Sequence, residues 1–514
     1  MERLVRAGLL FRQGKPPEAT YLFKHALLQD LAYGALLREQ RRALHARIVE
    51  ALEAHFGEVV ETQPELLARH CAEAGLREKA AALWAKAGRQ SLKRSALREA
   101  ESQFSRALAL IAAQSGTPAL RREEIACQIG LASTLLLSRG YASGEARASL
   151  SRTLALIERA DALGEPVENP LALFTTLHGL WVASIVASSG DATRKLAAQC
   201  LALAQRGGAK GELIAGHRAV GQSLLFSGDI LASRAHFDTA IALYNPAEDR
   251  RATRYGGDHW STALSARGAA LWVLGYPDAA RADADEALRS AREFGHVLTL
   301  GNNLIFAAWI HFDCGQYETA KAEATEINAL ADEKGEPFYG AFGLMLQGLI
   351  SSSEGEADEA VRRIGSALAG YRSSGATLLT ATVLSHLAKT HARLGQMEDA
   401  RRCIVDATAT FEMTNERWCE ADILRLAGEI AEEPPERDAA KAEAFFDRAL
   451  AVARGQHAKS WELRAATSKA RLWRDQGKRA EARGLLAPVY NWFTEGFDTL
   501  DLRQAKALLD GLAV

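Results

Sequence analysis

The sequence predicts an all-α solenoid, which is a stack of antiparallel helix pairs with a repeat of about 40 residues. The first observation is a recurring spacing of small residues: a Gly or Ala is followed by Gly seven positions later and by Ala five positions after that. This spacing begins at Gly268, Ala308, Gly348 and Ala388. The second observation is composition, because Ala, Leu, Arg and Glu dominate the 514 residues, only 12 are Pro, and alternating β-branched runs are nearly absent.

Each small residue has a physical role in such a pair. A Gly or Ala in the middle of the first helix allows a second helix to cross it closely, and the Gly seven positions later ends the first helix, since glycine adopts a left-handed cap without steric cost. No pair buries its apolar faces alone, so neighbouring pairs must stack. The predicted crossing residues are Ala68, Gly88, Gly130, Gly179, Gly221, Gly268, Ala308, Gly348, Ala388, Gly428 and Ala470.

One stretch shows the fullest form of the pattern, with Trp84, Gly88, Ala100, Phe104 and Ala107 at fixed offsets. This arrangement resembles the tetratricopeptide repeat. The resemblance implies a tetratricopeptide-like α-solenoid, a right-handed superhelix of helix pairs.

The N-terminal residues lack this spacing. Short apolar runs at 8–11 and 20–23, separated by the polar stretch RQGKPPEA, predict a β-hairpin, and helical apolar spacing follows from Leu27 to Leu52. A hairpin followed by such helices resembles the wing and tail of a winged-helix domain. The predicted parts are residues 1–60 as a winged-helix remnant with linker helices, 61–496 as the repeat solenoid, and 497–514 as a C-terminal capping helix.

Two motifs extend the resemblance to a protein family. The stretches FKHALLQDLAYGALL at 23–37 and PELLARHCAEAG at 64–75 resemble the junction in large bacterial signal-transduction ATPases, where a winged helix follows a P-loop ATPase module and precedes tetratricopeptide repeats. Many members also carry a class III adenylate/guanylate cyclase domain. For His25 the resemblance implies a nucleotide-sensing role, because a histidine at this point in related ATPases contacts the phosphates of the nucleotide.

The sequence itself contains no catalytic motif. No segment has the G-x-x-x-x-G-K-[ST] pattern that cradles phosphates, and GKPPEAT at 14–20 lacks both the earlier glycine and the Ser or Thr after its Lys. His386 and His391 lie on different faces of a helix, and the six cysteines form no C-x-x-C pair. We therefore predict no enzymatic activity, no cofactor and no metal site, with reduced, buried cysteines.

The charge balance and the hydropathy also exclude several classes of function. The sequence has 62 Lys and Arg against 64 Asp and Glu, for a net charge of −2, which does not favour nucleic-acid binding. No apolar run approaches the ~20 residues of a membrane span, and the N-terminus has no signal-peptide pattern. These features predict a cytoplasmic location without nucleic-acid or membrane partners.

A binding site is predicted on the concave face, which the first helix of each pair lines in tetratricopeptide arrays. The predicted lining residues are Arg218, Gln222, Trp272, Asn302, Trp309, Lys389, Arg425, Arg464, Arg471 and Arg474. The C-terminal end of this set is basic, so Arg side chains would bind carboxylates of an acidic peptide and Trp faces would hold apolar anchors. Alternatively, these positions are ordinary solvated residues of helix surfaces.

The predicted function is a non-enzymatic scaffold or sensor module of a signalling ATPase-type regulator. Its partners would be a protein or peptide on the concave face and an ATPase module, in cis or trans, on the N-terminal hairpin. The alternative is that the chain is the C-terminal part of an ATP-dependent regulator or adenylate/guanylate cyclase whose catalytic domains are absent from it.

Overall fold

The computed structural model describes residues 1–15, 19–94, 96–114, 116–139, 143–165, 170–187, 190–207, 209–245, 257–334, 337–435 and 437–513. These ranges contain 26 α-helices and one two-stranded antiparallel sheet, which confirms the predicted all-α solenoid with an N-terminal hairpin. The chain divides into two compact units, the first from Met1 to Thr134 and the second from Leu135 to Val514. The sequence-based boundaries at residues 60 and 496 do not coincide with this division and stay a prediction.

The first unit begins with the hairpin and continues as helices. Its elements are α1 (Glu2–Arg6), β1 (Leu10–Gln13), β2 (Thr20–Phe23), α2 (Ala26–Gly34), α3 (Arg38–His55), α4 (Gly57–Thr62), α5 (Pro64–Glu73), α6 (Arg77–Lys93), α7 (Leu97–Ala112) and α8 (Pro118–Arg139), which runs on into the second unit. In the hairpin, Leu10 pairs with Phe23 and Phe11 pairs with Leu22.

Within the described residues, the second unit contains eight helix pairs between two single helices. It starts with α9 (Gly144–Ala162). The pairs, first helix named first, are α10 (Pro170–Val186) and α11 (Gly190–Gly207); α12 (Lys210–Ser227) and α13 (Ile230–Ala242); α14 (His259–Leu274) and α15 (Pro277–Phe294); α16 (Val297–Asp313) and α17 (Tyr317–Lys334); α18 (Pro337–Glu354) and α19 (Ala357–Ser373); α20 (Thr380–Arg393) and α21 (Met397–Thr414); α22 (Glu420–Ala431) and α23 (Ala439–Gly455); α24 (Lys459–Asp475) and α25 (Arg479–Tyr490). The last helix is α26 (Leu500–Leu512).

The small residues lie at the helix crossings, as predicted. A Cβ atom added at Gly428 would lie 2.5 Å from the ring of Phe446 on the partner helix, and one added at Gly221 would lie 2.8 Å from the ring of Phe237. Where the crossing residue is alanine, as at Ala388, the side chain is fully buried. Backbones can approach this closely only where the intervening side chain is absent or a single methyl group.

The glycines seven positions after the crossing residues end the first helices. Gly275 and Gly315 have φ angles of 95° and 79°, in the left-handed region that residues with a side chain rarely adopt. The following helices, α15 and α17, then fold back along the ones just ended. The chain reversal is therefore encoded locally.

The first helices of neighbouring pairs also contact one another along the second unit. Helix α12 packs on α14, α14 on α16, α20 on α22, and α22 on α24. The first helices consequently form an inner layer, and the second helices surround it. In the part of the chain that the structure describes, no helix is both long enough and apolar enough to cross a membrane.

We expect Gly428→Ala to destabilise the second unit by about 1–3 kcal/mol, because the new methyl group would overlap the fully buried ring of Phe446. The matched control is Gly370→Ala on the exposed face of α19, where an added Cβ meets no atom within 4 Å. That change should stabilise by about 0.5–1 kcal/mol, since alanine costs less entropy in a helix. Urea unfolding followed by circular dichroism measures both. Equal shifts of the two midpoints would contradict the crossing role.

Candidate functional site

The predicted lining residues all lie on first helices of the second unit. Helix α12 carries Arg218 and Gln222, α14 carries Trp272, α16 carries Asn302 and Trp309, α20 carries Lys389, α22 carries Arg425, and α24 carries Arg464, Arg471 and Arg474. Residues that line a concave face are expected to be exposed, but five of the ten are buried, four are half-buried, and of the ten Arg474 alone is exposed. The reason is that the inner layer packs against itself, so its side chains meet other helices before they meet solvent.

At the N-terminal end of this layer, Arg218 is buried among polar and aromatic groups. Its guanidinium lies over the ring of Trp181 at 4.8 Å and donates hydrogen bonds to Nε2 of His178 (2.8 Å) and to Oε1 of Gln222 (3.2 Å). Because arginine only donates, His178 accepts through Nε2 and carries its proton on Nδ1. Burial, and then the positive charge of Arg218, lower the pKa of His178 to about 3. This imidazole is therefore neutral over the physiological range.

The middle of the inner layer is aromatic. The ring of Trp272 meets that of Trp461 edge-on, with centroids 4.7 Å apart, and Trp309 lies 6.3 Å from Phe342 and 6.5 Å from Trp418. Edge-to-face contacts at these separations are favourable beyond their buried area. Tryptophan rings from sequence-distant helices thus meet inside the second unit.

Several side-chain polar atoms of the inner helices are buried without a hydrogen-bond partner among the described residues. Among them are two donors, Nδ2 of Asn302 and Nε1 of Trp309, and one acceptor, Oδ2 of Asp422. A buried polar atom without a partner costs about 1–3 kcal/mol. Such an atom requires a partner, which an ordered water molecule or a bound ligand supplies.

Toward the C-terminal end of the inner layer, Arg425 and Lys389 are neutralised by carboxylates of the chain. Arg425 donates to Asp422 and to Glu429, both at 2.6 Å, and the ammonium of Lys389 lies 3.2 Å from Glu429. Although burial opposes it, Arg425 and Lys389 lower the pKa of Glu429, so this carboxylate is charged. The presence of basic residues among the ten candidates is therefore not, by itself, evidence for an acidic ligand.

Arg464 is also fully paired. Its Nε donates to Oδ2 of Asp501 at 2.7 Å, and its terminal nitrogens donate to Oδ1 (3.1 Å) and to the main-chain oxygen (3.0 Å) of Asp313. The guanidinium lies over both rings of the Trp272–Trp461 pair, 4.8 and 5.1 Å from their centroids. Two carboxylates and two aromatic faces thus surround one cation.

Arg471 differs from Arg425 and Arg464 in the kind of group that accepts its hydrogen bond. Its guanidinium donates to the neutral amide oxygen of Gln504 at 2.9 Å, whereas Arg474 pairs with the carboxylate of Asp475. Burial, opposed by Glu429, lowers the pKa of Arg471. The charge of Arg471 is thus less well compensated than that of Arg425 or Arg464.

The carboxylates and several aromatic residues of the site are absent from the sequence-based set. Asp422 and Glu429 lie three residues before and four after Arg425, a spacing that indicates helical ion pairs and was available in the sequence. Asp313 and Arg464 are 151 residues apart, and no sequence signal links them. Trp418 precedes α22 and so lies outside the helical periodicity.

The other predicted features lie elsewhere. His25 is exposed at the start of α2, and its side chain makes no capping hydrogen bond. All six cysteines are buried, as predicted. Within the described ranges, no three or more His, Cys, Asp or Glu side chains are grouped so that they could hold a metal ion.

A cavity of about 30 Å³ adjoins a buried carboxyl group, that of Glu416. The main-chain nitrogen of Leu379 (3.1 Å) and Nε1 of Trp418 (2.9 Å) donate hydrogen bonds to this carboxyl group. Burial raises its pKa from 4.5 to about 7, and these two donors only partly oppose the rise. The cavity has room for a water molecule or two and not for a larger ligand.

Fold and site together define a tetratricopeptide-like helical solenoid with a buried inner face of aromatic, amide and paired charged groups. No family model matches the chain. An uncharacterized protein of Rhizobium meliloti (strain 1021) is 29% identical over 181 residues, which are 35% of this chain. The match spans only 17% of that relative's length.

Solved structures share the fold. A Rap protein complexed with Competence and Sporulation Factor is 11% identical, with 76% of this chain and 99% of that chain covered at a TM-score of 0.51. The apo form of the quorum sensor NprR from B. thuringiensis is 13% identical, with 72% of this chain and 99% of that chain covered at a TM-score of 0.43. A signal-transduction ATPase with a tetratricopeptide repeat sensor from Pyrococcus horikoshii is 12% identical, with 80% of this chain and 55% of that chain covered at a TM-score of 0.37.

We expect the stability of the wild type to fall by about 2–3 kcal/mol more than that of Glu416→Gln between pH 5 and pH 8. The folded pKa of about 7 lies above the ordinary 4.5, so the native state binds the proton more tightly than the unfolded state does. The contribution of Glu416 to stability is therefore greatest below pH 4.5 and decreases as pH rises through 7. Melting temperatures across this range measure the effect, with Glu412→Gln on the exposed face of α21 as control. Parallel profiles for the wild type and Glu416→Gln would contradict a raised pKa.

Proposed function

We propose that the chain is a non-enzymatic binding module, the sensor part of a signalling ATPase-type regulator, whose inner helix layer holds a peptide or an extended protein segment. One observation carries this proposal: the buried donors of Asn302 and Trp309 and the buried acceptor of Asp422 have no partners in the described chain. An extended peptide offers alternating carbonyl and N–H groups. It would satisfy donors and acceptors of both kinds along one path.

The other contents of the inner layer suit a peptide. Trp272 and Trp309 supply aromatic faces that pack against apolar side chains, and aromatic anchors dominate binding energy in protein interfaces. The Rap protein with the same fold was solved in complex with Competence and Sporulation Factor, which supports a binding role for a solenoid of this kind.

The preference for an acidic ligand rests on Arg471. Its partner within the chain is a neutral amide, and its burial disfavours the uncompensated charge. A carboxylate from the ligand would complete this site through charge-assisted hydrogen bonds, which are roughly twice as strong as neutral ones. Arg425 and Arg464 already hold carboxylates and would act by shaping the layer.

The N-terminal hairpin and α2 supply the second surface, which we propose docks on an ATPase module. Phe11 and Leu22, paired across the hairpin, are 56% and 55% exposed, and Leu27 and Leu31 on α2 are 75% and 70% exposed. An isolated two-stranded hairpin is marginal in water, so apolar groups on its outer face favour a covering partner. We propose an ATPase module as this partner because residues 23–37 resemble the winged-helix junction of signalling ATPases.

A second candidate function follows from the Rhizobium relative, of which the match covers 17%. The matched 181 residues of this chain are similar to a segment of a much longer protein, which favours a role as one part of a larger protein. The resemblance of residues 23–37 to signal-transduction ATPases is the reason for proposing an ATP-dependent regulator or nucleotide cyclase. In either case the sequence printed here supplies no P-loop, so ATP turnover would depend on another module.

We expect Trp309→Phe and Arg471→Gln each to weaken peptide binding about five- to tenfold. The first change removes the Nε1 donor and keeps the ring, and the second removes the charge that an acidic side chain would meet; each interaction contributes about 1 kcal/mol or somewhat more. Peptides are selected from a random phage-displayed library on the purified chain, synthesised with a fluorophore, and titrated by fluorescence polarisation.

The matched control for the first change is Trp473→Phe, since Nε1 of Trp473 already donates to Glu443 at 2.9 Å. The control for the second is Arg483→Gln on the exposed face of α25. Failure to select any peptide, or equal loss in variants and controls, would contradict the proposed inner site. If Arg471→Gln also weakens the binding of peptides that contain no Asp or Glu, only the preference for an acidic ligand would be contradicted.

We expect the double change Leu27→Glu and Leu31→Glu to weaken binding to a P-loop ATPase module by tenfold or more, because two exposed apolar contacts become charged. Purified ATPase modules encoded in the same genome are assayed pairwise by biolayer interferometry. The control is Val405→Glu with Met413→Glu, an equally exposed apolar pair on α21. If no module binds, or if both double variants bind alike, the docking proposal fails.

A further inference from the structure

The inner helices of the second unit touch helices five pairs further along the chain. The main-chain oxygen of Val186, the last residue of α10, accepts a hydrogen bond of 3.1 Å from the nitrogen of Leu378, just before α20. The oxygen of Phe226 in the last turn of α12 accepts one of 2.8 Å from the nitrogen of Arg417, just before α22. Each contact joins the end of one first helix to the start of another.

The same offset continues at the next two positions. The oxygen of Trp272 in α14 accepts a hydrogen bond from Oγ of Ser460 in α24. A Cβ atom added at Gly315, after α16, would lie 2.8 Å from Cβ of Leu500, the first residue of α26. The contacts therefore run α10 to α20, α12 to α22, α14 to α24 and α16 to α26, and we call this line of contacts the seam.

A constant offset of five pairs means that about five pairs complete one turn of the second unit, with successive turns in contact. Five helices packed 8–10 Å apart in a ring place their axes about 7–9 Å from its centre. A helix with its side chains has a radius of about 5–6 Å, so only ~2–3 Å of radius remains. Side chains fill that space, which explains why the inner residues are buried.

Arg464 connects the two sides of the seam. From α24 it donates to Asp313 at the end of α16 and to Asp501 in α26. Its guanidinium also lies over the ring of Trp272 from α14 and over that of Trp461 from its own helix. Removing one partner of a buried cation is strongly destabilising, because it leaves a buried charge without compensation. Separation of the turns would expose this cation and its two carboxylates to water together.

The segment that links α25 to α26 forms hydrogen bonds with α15 and so supports the seam. The carboxylate of Glu495 accepts hydrogen bonds from the main-chain nitrogens of Asp278 (3.0 Å) and Ala279 (3.1 Å), so it caps α15 from 216 or more residues away. Asp498 accepts two hydrogen bonds of 3.0 Å from Arg281 on α15. We call residues 491–499 the clasp.

We infer that the second unit is held in a contracted, self-blocked state by the seam, and that the turns must separate before the inner layer can hold its ligand. The inference rests on the proposed function, since it concerns access to that same inner site. An extended peptide is about 10 Å across with its side chains, the spacing at which sheets pack face to face. It does not fit a ring whose free radius is ~2–3 Å, so the ring must widen, and a wider ring loses the five-pair register.

Two cysteines report on the seam without any ligand. Cys314 adjoins Asp313, and Cys419 adjoins Trp418, whose main-chain nitrogen bonds across the seam to Phe226. Cys200 and Cys403 are buried on the outer helices α11 and α21 and serve as internal controls. All four thiols are protected by burial in the contracted state.

The first experiment weakens the clasp with Glu495→Ala and Asp498→Ala and follows the labelling of each cysteine by iodoacetamide with mass spectrometry. We expect labelling of Cys314 to accelerate tenfold or more and that of Cys419 to accelerate less, with Cys200 and Cys403 unchanged. The control replaces Arg292 and Glu326 by Ala, an exposed ion pair between α15 and α17 that does not cross the seam. Unchanged labelling of Cys314, or equal acceleration at all four cysteines, would overturn the inference.

The second experiment closes the seam covalently. A Cβ atom at Gly190 would lie 3.4 Å from Cβ of Asn415, close to the separation in a disulfide. The double variant Gly190→Cys and Asn415→Cys, when oxidised, should bind the library-selected peptides at least tenfold more weakly than the same protein after reduction. The reduced protein is the control for any strain introduced at these two left-handed positions.

The outcomes separate the two proposals. Equal peptide binding by the oxidised and reduced forms would overturn the blocking role of the seam and leave the peptide site standing. Accelerated labelling of Cys314 in a protein that selects no peptide would support the seam and overturn the proposed function.

Discussion

The structure depends on one steric constraint, the absence of a side chain larger than a methyl group where two helices of a pair cross. At Gly221 and Gly428 the space that a Cβ would need is occupied by phenylalanine rings from the second helix. Because each first helix also packs on the next first helix, close crossings within pairs set the spacing of the whole inner layer. A tight ring of about five pairs is the geometric result.

This tight ring explains the chemistry of the interior. Many polar groups on the inner helices are shielded from water and have partners inside the protein: Arg425 with Asp422 and Glu429, Arg464 with Asp313 and Asp501. Partnered charges of this kind add little net stability but make the arrangement specific, because a wrong register would leave them unpaired. The unpartnered atoms of Asn302 and Trp309 are among the exceptions to this pattern, and the proposed peptide site rests on them.

The positions of the helices follow from the sequence, but the exposure of their residues does not. The crossing residues and the hairpin follow from local spacing, and the structure has them where they were predicted. The ten candidate residues lie on first helices as expected, yet Trp272 and Arg218 are buried, since the sequence contains no information on how many pairs complete a turn. The helical spacing in the sequence predicts Asp422 and Glu429 as partners of Arg425, whereas no spacing predicts the partners of Arg464.

By itself, the sequence determined the class of fold, the helix pairs, their reversals and the absence of a P-loop, because these depend on residues fewer than about 40 positions apart. Only the tertiary structure decided that successive turns touch, that Asp313 meets Arg464, and that the inner face is closed. Small differences in the angle between neighbouring pairs accumulate over five repeats, and no local pattern records their sum. The candidate site is therefore a property of the superhelix, although each of its residues belongs to a single repeat.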